Sequence, residues 1–332
     1  MGRRTQDILR REKMETTLAM LLDLFVATKK TEGASPNTTS WYRDKLGAFF
    51  RYLGDAPKLP HFTVANSRAF IAHLQDRDTL YEGHPVVPPK KGSLSPYTIH
   101  AYVRAIKAFS TWLHDEGFTG TNVMARLKRP ALPKPVIEIL TDEEIERLVN
   151  SFNPNTYLGM RMMTIILVFL DTGIRASEAL GLRLDDIDWS SGILTVWGKG
   201  NKQRQVGFDP QTKKYLLRYI NAFRPEPVNP NCQEVFLSVQ GTPLSYNALS
   251  HMMKRAGKAA GIPRLRAHLL RHTFAVKYLM NGGDVMTLKL ILGHASLDVT
   301  QVYMHLAESH VKIQHQRFSP VSRIRIKRNR RA

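Results

Sequence analysis

The chain is poor in cysteine, poor in acid and without a long apolar run. Cys232 is the one cysteine in 332 residues, which excludes an intramolecular disulfide and a zinc site built on thiolates. Acidic residues number 28 against 48 Lys and Arg, a formal net charge of +20. Charge of that size repels itself unless a polyanion meets it, and this points to nucleic acid. A membrane surface is the weaker reading, because neither a spanning segment nor a lipidation signal accompanies the charge. The apolar run Met162–Leu170 is too short to cross a bilayer and reads as a buried helix. The opening MGRRTQDILRREK is basic but lacks an apolar core and a cleavage site, so it is not a secretory signal. The expected location is the cytoplasm.

What is present suffices for two domains with ordinary cores, 43% of the residues being hydrophobic. The N-terminal third reads as a four-helix unit. Leu18, Leu21, Leu22, Phe25 and Val26 repeat at helical spacing. Ser35-Pro36, Thr63 and Ser95-Pro96 each supply an N-cap, two of them with Pro at the first helical position. The prolines and glycines of Glu82–Ser93 predict an irregular loop. Pro130, Pro133 and Pro135, interleaved with basic residues, mark the best boundary in the chain. We therefore expect a helical domain over 14–120, a linker over 121–137, a second domain over 138–316 and a basic tail over 317–332. That tail carries Arg323, Arg325, Lys327, Arg328, Arg330 and Arg331.

The second domain opens on a capping box, Thr141 with Glu144. A buried helix leads into a turn at Gly173. Gly192–Trp197 and Gln205–Phe208 alternate as strands around GKGNKQR, predicting a β-hairpin with Lys199 and Lys202 near its tip. Pro210 opens a further helix, Val235–Leu237 a short strand, and Tyr246–Ala260 another helix. The predicted fold class is mainly α: a four-helix N-terminal domain and a mostly helical second domain with a small antiparallel hairpin.

The reactive residues gather in Arg266–His305, which holds His268, Arg271, His272, His294, Tyr303 and His305. His268 and Arg271, at i and i+3, share a helix face. His268 and His272, at i and i+4, have the spacing of a zinc pair. Leu-Leu-Arg lies between them, so the glutamate of that motif is missing and an arginine stands where it would repel a cation. His272 and His305 read instead as makers of structural hydrogen bonds. A nucleophile candidate, imidazoles and guanidinium groups suit attack on a phosphodiester without a metal. Two arginines, Arg175 and Arg271, are the candidates to hold the phosphate oxygens. Lys199 is the candidate to protonate the leaving 5′ oxygen, and His268 and His294 to donate hydrogen bonds or carry the tyrosine proton. On the N-terminal helices, Thr38, Thr39, Lys45, Thr98, His100, Arg104 and Lys107 form a basic, hydroxyl-rich set. It is either a solvated outer face or a surface for DNA phosphates.

TGIRASEALGL, WGKGNKQRQV, HLLRHTFA and LGHASLDVTQVYMH occur here in one order. With them the chain resembles the tyrosine recombinase, or phage integrase, family, particularly its chromosome-dimer resolvase and mobile-element branches. The resemblance covers roughly residues 14–316. It implies that the first domain binds the core DNA site and that Arg175 and Arg271 clamp the phosphate. It implies Lys199 as general acid, with Lys202 in the same loop as the alternative, and His268 and His294 as hydrogen-bonding or proton-transfer residues. Tyr303 would be the nucleophile of a 3′-phosphotyrosyl link, and Glu178 a supporting acid. Lys128 and Arg129 of the linker and Arg204 of the hairpin join Thr38, Lys45, Thr98, Arg104, Lys107 and Lys202 as DNA-binding candidates. The implied partner is double-stranded DNA carrying a specific recombination site. The implied assembly is a homo-tetramer that exchanges C-terminal segments and works through a Holliday junction, with no metal and no cofactor. An accessory protein setting direction is compatible with this. Two competing readings share the residues: a type IB topoisomerase, and a catalytically inert DNA-binding protein on the same scaffold. The separate helical domain and the Arg-Ala-Ser-Glu segment favour the recombinase, and no site residue has been lost.

Overall fold

The structure, a computed structural model, describes residues 15–80, 87–133, 137–198 and 202–293, together with Tyr303, His315 and Ser319. Lys199, His294, His305, the arginines and lysine of the basic tail and the first part of the Glu82–Ser93 loop lie outside the described residues. The chain divides into two compact units, Met1–Pro135 and Val136–Ala332.

Among the described residues, four α-helices build the first unit: α1 (Leu18–Thr31), α2 (Pro36–Tyr52), α3 (Val64–Asp76) and α4 (Pro96–Asp115). Each starts where a hydroxyl relieves an unpaired helical N–H. Thr17, Ser35, Thr63 and Ser95 accept from the backbone of Met20, Thr38, Asn66 and Thr98. Pro36 and Pro96 occupy the first turn as expected. The apolar faces meet in an aromatic core in which Phe25 packs edge-on to Phe109 at 5.4 Å and Phe109 stacks on Trp112 at 5.7 Å. Met124 and Leu127 are buried in the same core, so the first part of the expected linker 121–137 packs as part of this unit. The Glu82–Ser93 loop, predicted irregular, is joined at its stem by an antiparallel pair, β1 (Thr79–Leu80) and β2 (Lys90–Lys91). Two residues on each side carry too little alternation for sequence patterning to disclose a ladder.

The second unit contains α5 (Asp142–Asn150), α6 (Tyr157–Thr172), α7 (Ala176–Leu180), α8 (Pro210–Ala222), α9 (Tyr246–Ala259), α10 (Ala267–Met280) and α11 (Val285–Leu292). The predicted capping box starts α5, with Thr141 and Glu144 exchanging hydrogen bonds of 3.1 and 3.2 Å. Helix α6 is buried on nearly every side and packs against α8 and α10. It ends at Gly173, whose φ of +60° is the left-handed conformation a side chain resists. The hairpin is present as β4 (Ile193–Trp197) and β5 (Gln203–Gly207), pairing Val196 with Arg204. A third strand, β3 (Ile187–Asp188), extends it to the order β3-β4-β5. The predicted strand at Val235–Leu237 is replaced by single bridges, Arg183 with Glu234 and Leu237 with Pro243. Its three residues are buried, and their backbone pairing stops at isolated bridges rather than a ladder. Among the described residues, no helix is long and apolar enough to cross a membrane.

Candidate active site

Three arginines from three elements converge on the last turn of α11. The carbonyls there have no partner within the helix and sit at the negative end of its dipole. Arg204 of β5 donates from Nε to the Ile291 carbonyl at 2.6 Å. Arg271 of α10 donates from Nη2 to Leu292 at 2.8 Å, and Arg175, the N-cap of α7, from Nη2 to Gly293 at 3.1 Å. Arg271 also reaches the end of α6, donating from Nη1 to Gly173 at 2.6 Å. One guanidinium thus joins the C-termini of two helices. Both ends are left-handed glycines, Gly173 at +60° and Gly293 at +63°. A Cβ on Gly173 would stand 2.2 Å from a ring carbon of Phe274.

Glu178 ties two of these arginines together. Its side chain is 1% exposed and accepts a bidentate pair from Arg204, 2.8 Å to each oxygen. Arg175 adds its backbone N–H at 2.7 Å and its Nη1 at 2.8 Å. Burial by itself pushes this carboxyl upward. The bonds from Arg204 and Arg175 outweigh burial and hold it at about 2. Glu178 is therefore an anion held between two guanidinium groups.

Arg271 is 2% exposed; burial, then the charge of Arg175, brings it down to about 10, still cationic at neutral pH. The Arg175 side chain is 37% exposed. Both arginines and His268 line a cavity of about 420 Å³ that Lys254, Arg264 and Arg266 also border. Burial and then the charges of Arg271, Arg266 and Arg175 lower His268, leaving its ring neutral at pH 7. Such a cavity presents concentrated positive charge and neutral hydrogen-bonding groups to an anion.

Tyr303 is 3% exposed and packs with Val276, Leu279, Leu288 and Leu292. Burial raises its pKa, while the charges of Arg271 and Arg175 pull it down. Its hydroxyl meets His272 Nδ1 at 2.7 Å. The sequence predicts a structural hydrogen bond for His272 without naming this partner. It reads Arg204 as a DNA contact, whereas the guanidinium lies on Glu178. No local spacing signals either one.

The DNA-binding candidates on the helices of the first unit each contact another group of the protein. Thr38 and Thr98 share hydrogen bonds with the capping hydroxyls of Ser35 and Ser95 at 2.9 Å. The ammonium of Lys45 lies 4.4 Å over Tyr102, and the exposed Arg104 guanidinium 4.5 Å over Trp41. Lys107 spends its ammonium on the carbonyls of Met124, Ala125 and Leu127 at 2.8, 3.1 and 2.8 Å. Lys128, Arg129 and Lys202 are exposed.

Residues 138–310 match the phage integrase family. The chain is 29% identical over 310 residues to tyrosine recombinase XerC of Oceanobacillus iheyensis, covering 91% of this chain and 97% of that protein. It is 30% identical over 313 residues to tyrosine recombinase XerD of Staphylococcus aureus, covering 92% and 99%. Among solved structures, XerH site-specific recombinase bound to difH substrate in a pre-cleavage complex shares the fold. The TM-score is 0.64 at 22% identity, over 87% of this chain and 81% of that one.

Proposed function

The chain belongs to the phage integrase family of tyrosine recombinases, and from that membership we propose how its own residues divide the work. It is a site-specific recombinase that cleaves and rejoins DNA. Tyr303 Oη attacks the scissile phosphorus, the bond to the 5′ oxygen breaks, and a 3′-phosphotyrosyl link forms beside a free 5′ hydroxyl. Arg175 and Arg271 hold the non-bridging oxygens, where planar cationic donors oppose the charge that grows there. Lys199 protonates the departing 5′ oxygen, with Lys202 as the alternative. His268 and His294 donate to phosphate oxygens or carry the tyrosine proton. The covalent link conserves the energy of the phosphodiester, so the 5′ hydroxyl of a second duplex can reverse the attack without ATP.

The observation that supports this reading is the arrangement of Arg175, Arg271 and His268 on one cavity wall, with Tyr303 buried in a cluster that includes Leu292, whose carbonyl holds Arg271. The first unit and the linker, with Lys128 and Arg129, grip the core site from the N-terminal side of the chain. The assembly is a homo-tetramer that resolves a Holliday junction and exchanges C-terminal segments. It acts in the cytoplasm, on a mobile element or chromosomal site.

Tyr303→Phe tests the assignment. It retains DNA binding and gives no covalent protein–DNA adduct on a nicked suicide duplex. An adduct that persists in this variant places the nucleophile elsewhere. Relaxation of plasmids lacking a specific site would favour the topoisomerase instead.

A further inference from the structure

The two histidines of α10 stack edge to face with ring centroids 4.4 Å apart, yet they face different things. His268 lines the cavity. His272, one turn later, sets Nδ1 2.7 Å from the Tyr303 hydroxyl, with ring centroids 5.5 Å apart. We propose that His272 is a positioning residue for strand cleavage, its Nδ1 accepting the hydrogen bond of the Tyr303 phenol and so setting where the nucleophilic oxygen stands. The inference rests on Tyr303 being the nucleophile.

The direction of the bond follows from the state of each partner. Burial, then the charges of His268, Arg266 and Arg271, brings His272 down to about 4, so its ring is neutral at pH 7. Burial keeps the Tyr303 proton in place, with Arg271 and Arg175 opposing it. A protonated phenol facing a neutral imidazole donates from Oη to Nδ1, and Nε2 carries the ring proton. The apolar side chains around Tyr303 confine its ring but tolerate sliding, because dispersion contacts are not directional. A hydrogen bond is directional, and a nucleophile displaced by about 1 Å from its line of attack loses roughly a hundredfold in rate.

The test measures single-turnover adduct formation on a nicked duplex carrying the sequence that the purified protein selects from a random pool. Wild type, His272→Ala, His272→Asn and Tyr303→Phe are compared, with DNA affinity and melting temperature recorded for each. His272→Ala slows adduct formation about 10- to 100-fold while affinity and melting temperature stay near wild type. His272→Asn, whose side-chain oxygen can stand near the place of Nδ1, recovers most of the rate. A wild-type rate in His272→Ala overturns the inference. So does an equal loss in both variants, since packing alone would then account for it. An adduct in Tyr303→Phe sinks the nucleophile assignment; an adduct at Tyr303 forming at full rate without His272 sinks only the role of His272.

Discussion

Glu178 is the residue on which the cationic side of the site depends. Arg204 is 13% exposed and Arg175 stands beside it, so two guanidinium groups share one buried carboxylate. Removing one partner of a buried pair leaves an uncompensated charge, which costs about 3–5 kcal/mol. Glu178→Gln is therefore expected to destabilise the chain by roughly that amount at pH 7, read by urea denaturation. The pH dependence follows from the depressed carboxyl. A group at about 2 in the folded chain and about 4.3 when unfolded contributes its stability fully above the unfolded value. That contribution is lost as pH falls through the folded one. The stability gap between wild type and Glu178→Gln should close between these limits; a gap that stays constant down to pH 2 would refute the ion pair as its source.

At the scale of elements, the site is an assembly of helix ends. The last carbonyls of α6 and α11 accept from arginines, so helix termination and the proposed phosphate clamp use the same side chains. Gly173 carries the geometry for this: its φ is +60° and its missing Cβ leaves room for Phe274. Gly173→Ala should cost about 1–3 kcal/mol from overpacking, with a further penalty of about 1–2 kcal/mol for the left-handed backbone. Because the Gly173 carbonyl holds Arg271, adduct formation should fall as well. Melting temperature and adduct rate measured together check both; a variant that melts and cleaves like wild type would show that α10 adjusts freely. The element-level expectations from sequence succeeded where the determinant was local. Ser35, Thr63 and Thr141 cap because a side-chain oxygen meets a backbone N–H three residues on. They were incomplete where pairing ran between distant segments, as with β3 and with the bridges around Val235–Leu237.

For the whole molecule, the formal charge of +20 governs how DNA binding responds to salt. Each phosphate neutralised releases counterions, and with six or more such contacts affinity falls about a thousandfold or more between roughly 50 and 200 mM salt. Titration of a labelled duplex across that range should show this decline. A flat response would mean that the exposed Lys128, Arg129 and Lys202 do not track the backbone. The internal engagement of Lys107, with three carbonyls on its ammonium, makes it a weaker contributor to that slope than the linker residues.

The amino-acid sequence by itself determined the mainly helical fold class, the helix starts at Ser35, Thr63, Ser95 and Thr141, and the charge that calls for DNA. These follow from interactions spanning a few residues, from composition, or from ordered motifs. The tertiary structure decided which side chains meet. It placed Arg204 on Glu178 rather than in solvent, joined Arg175 to Gly293 across 118 positions, and brought His272 to Tyr303 across 31. Such partners are chosen by the packing of whole helices against one another, and no periodicity along the chain encodes which carbonyl or hydroxyl a buried side chain will face.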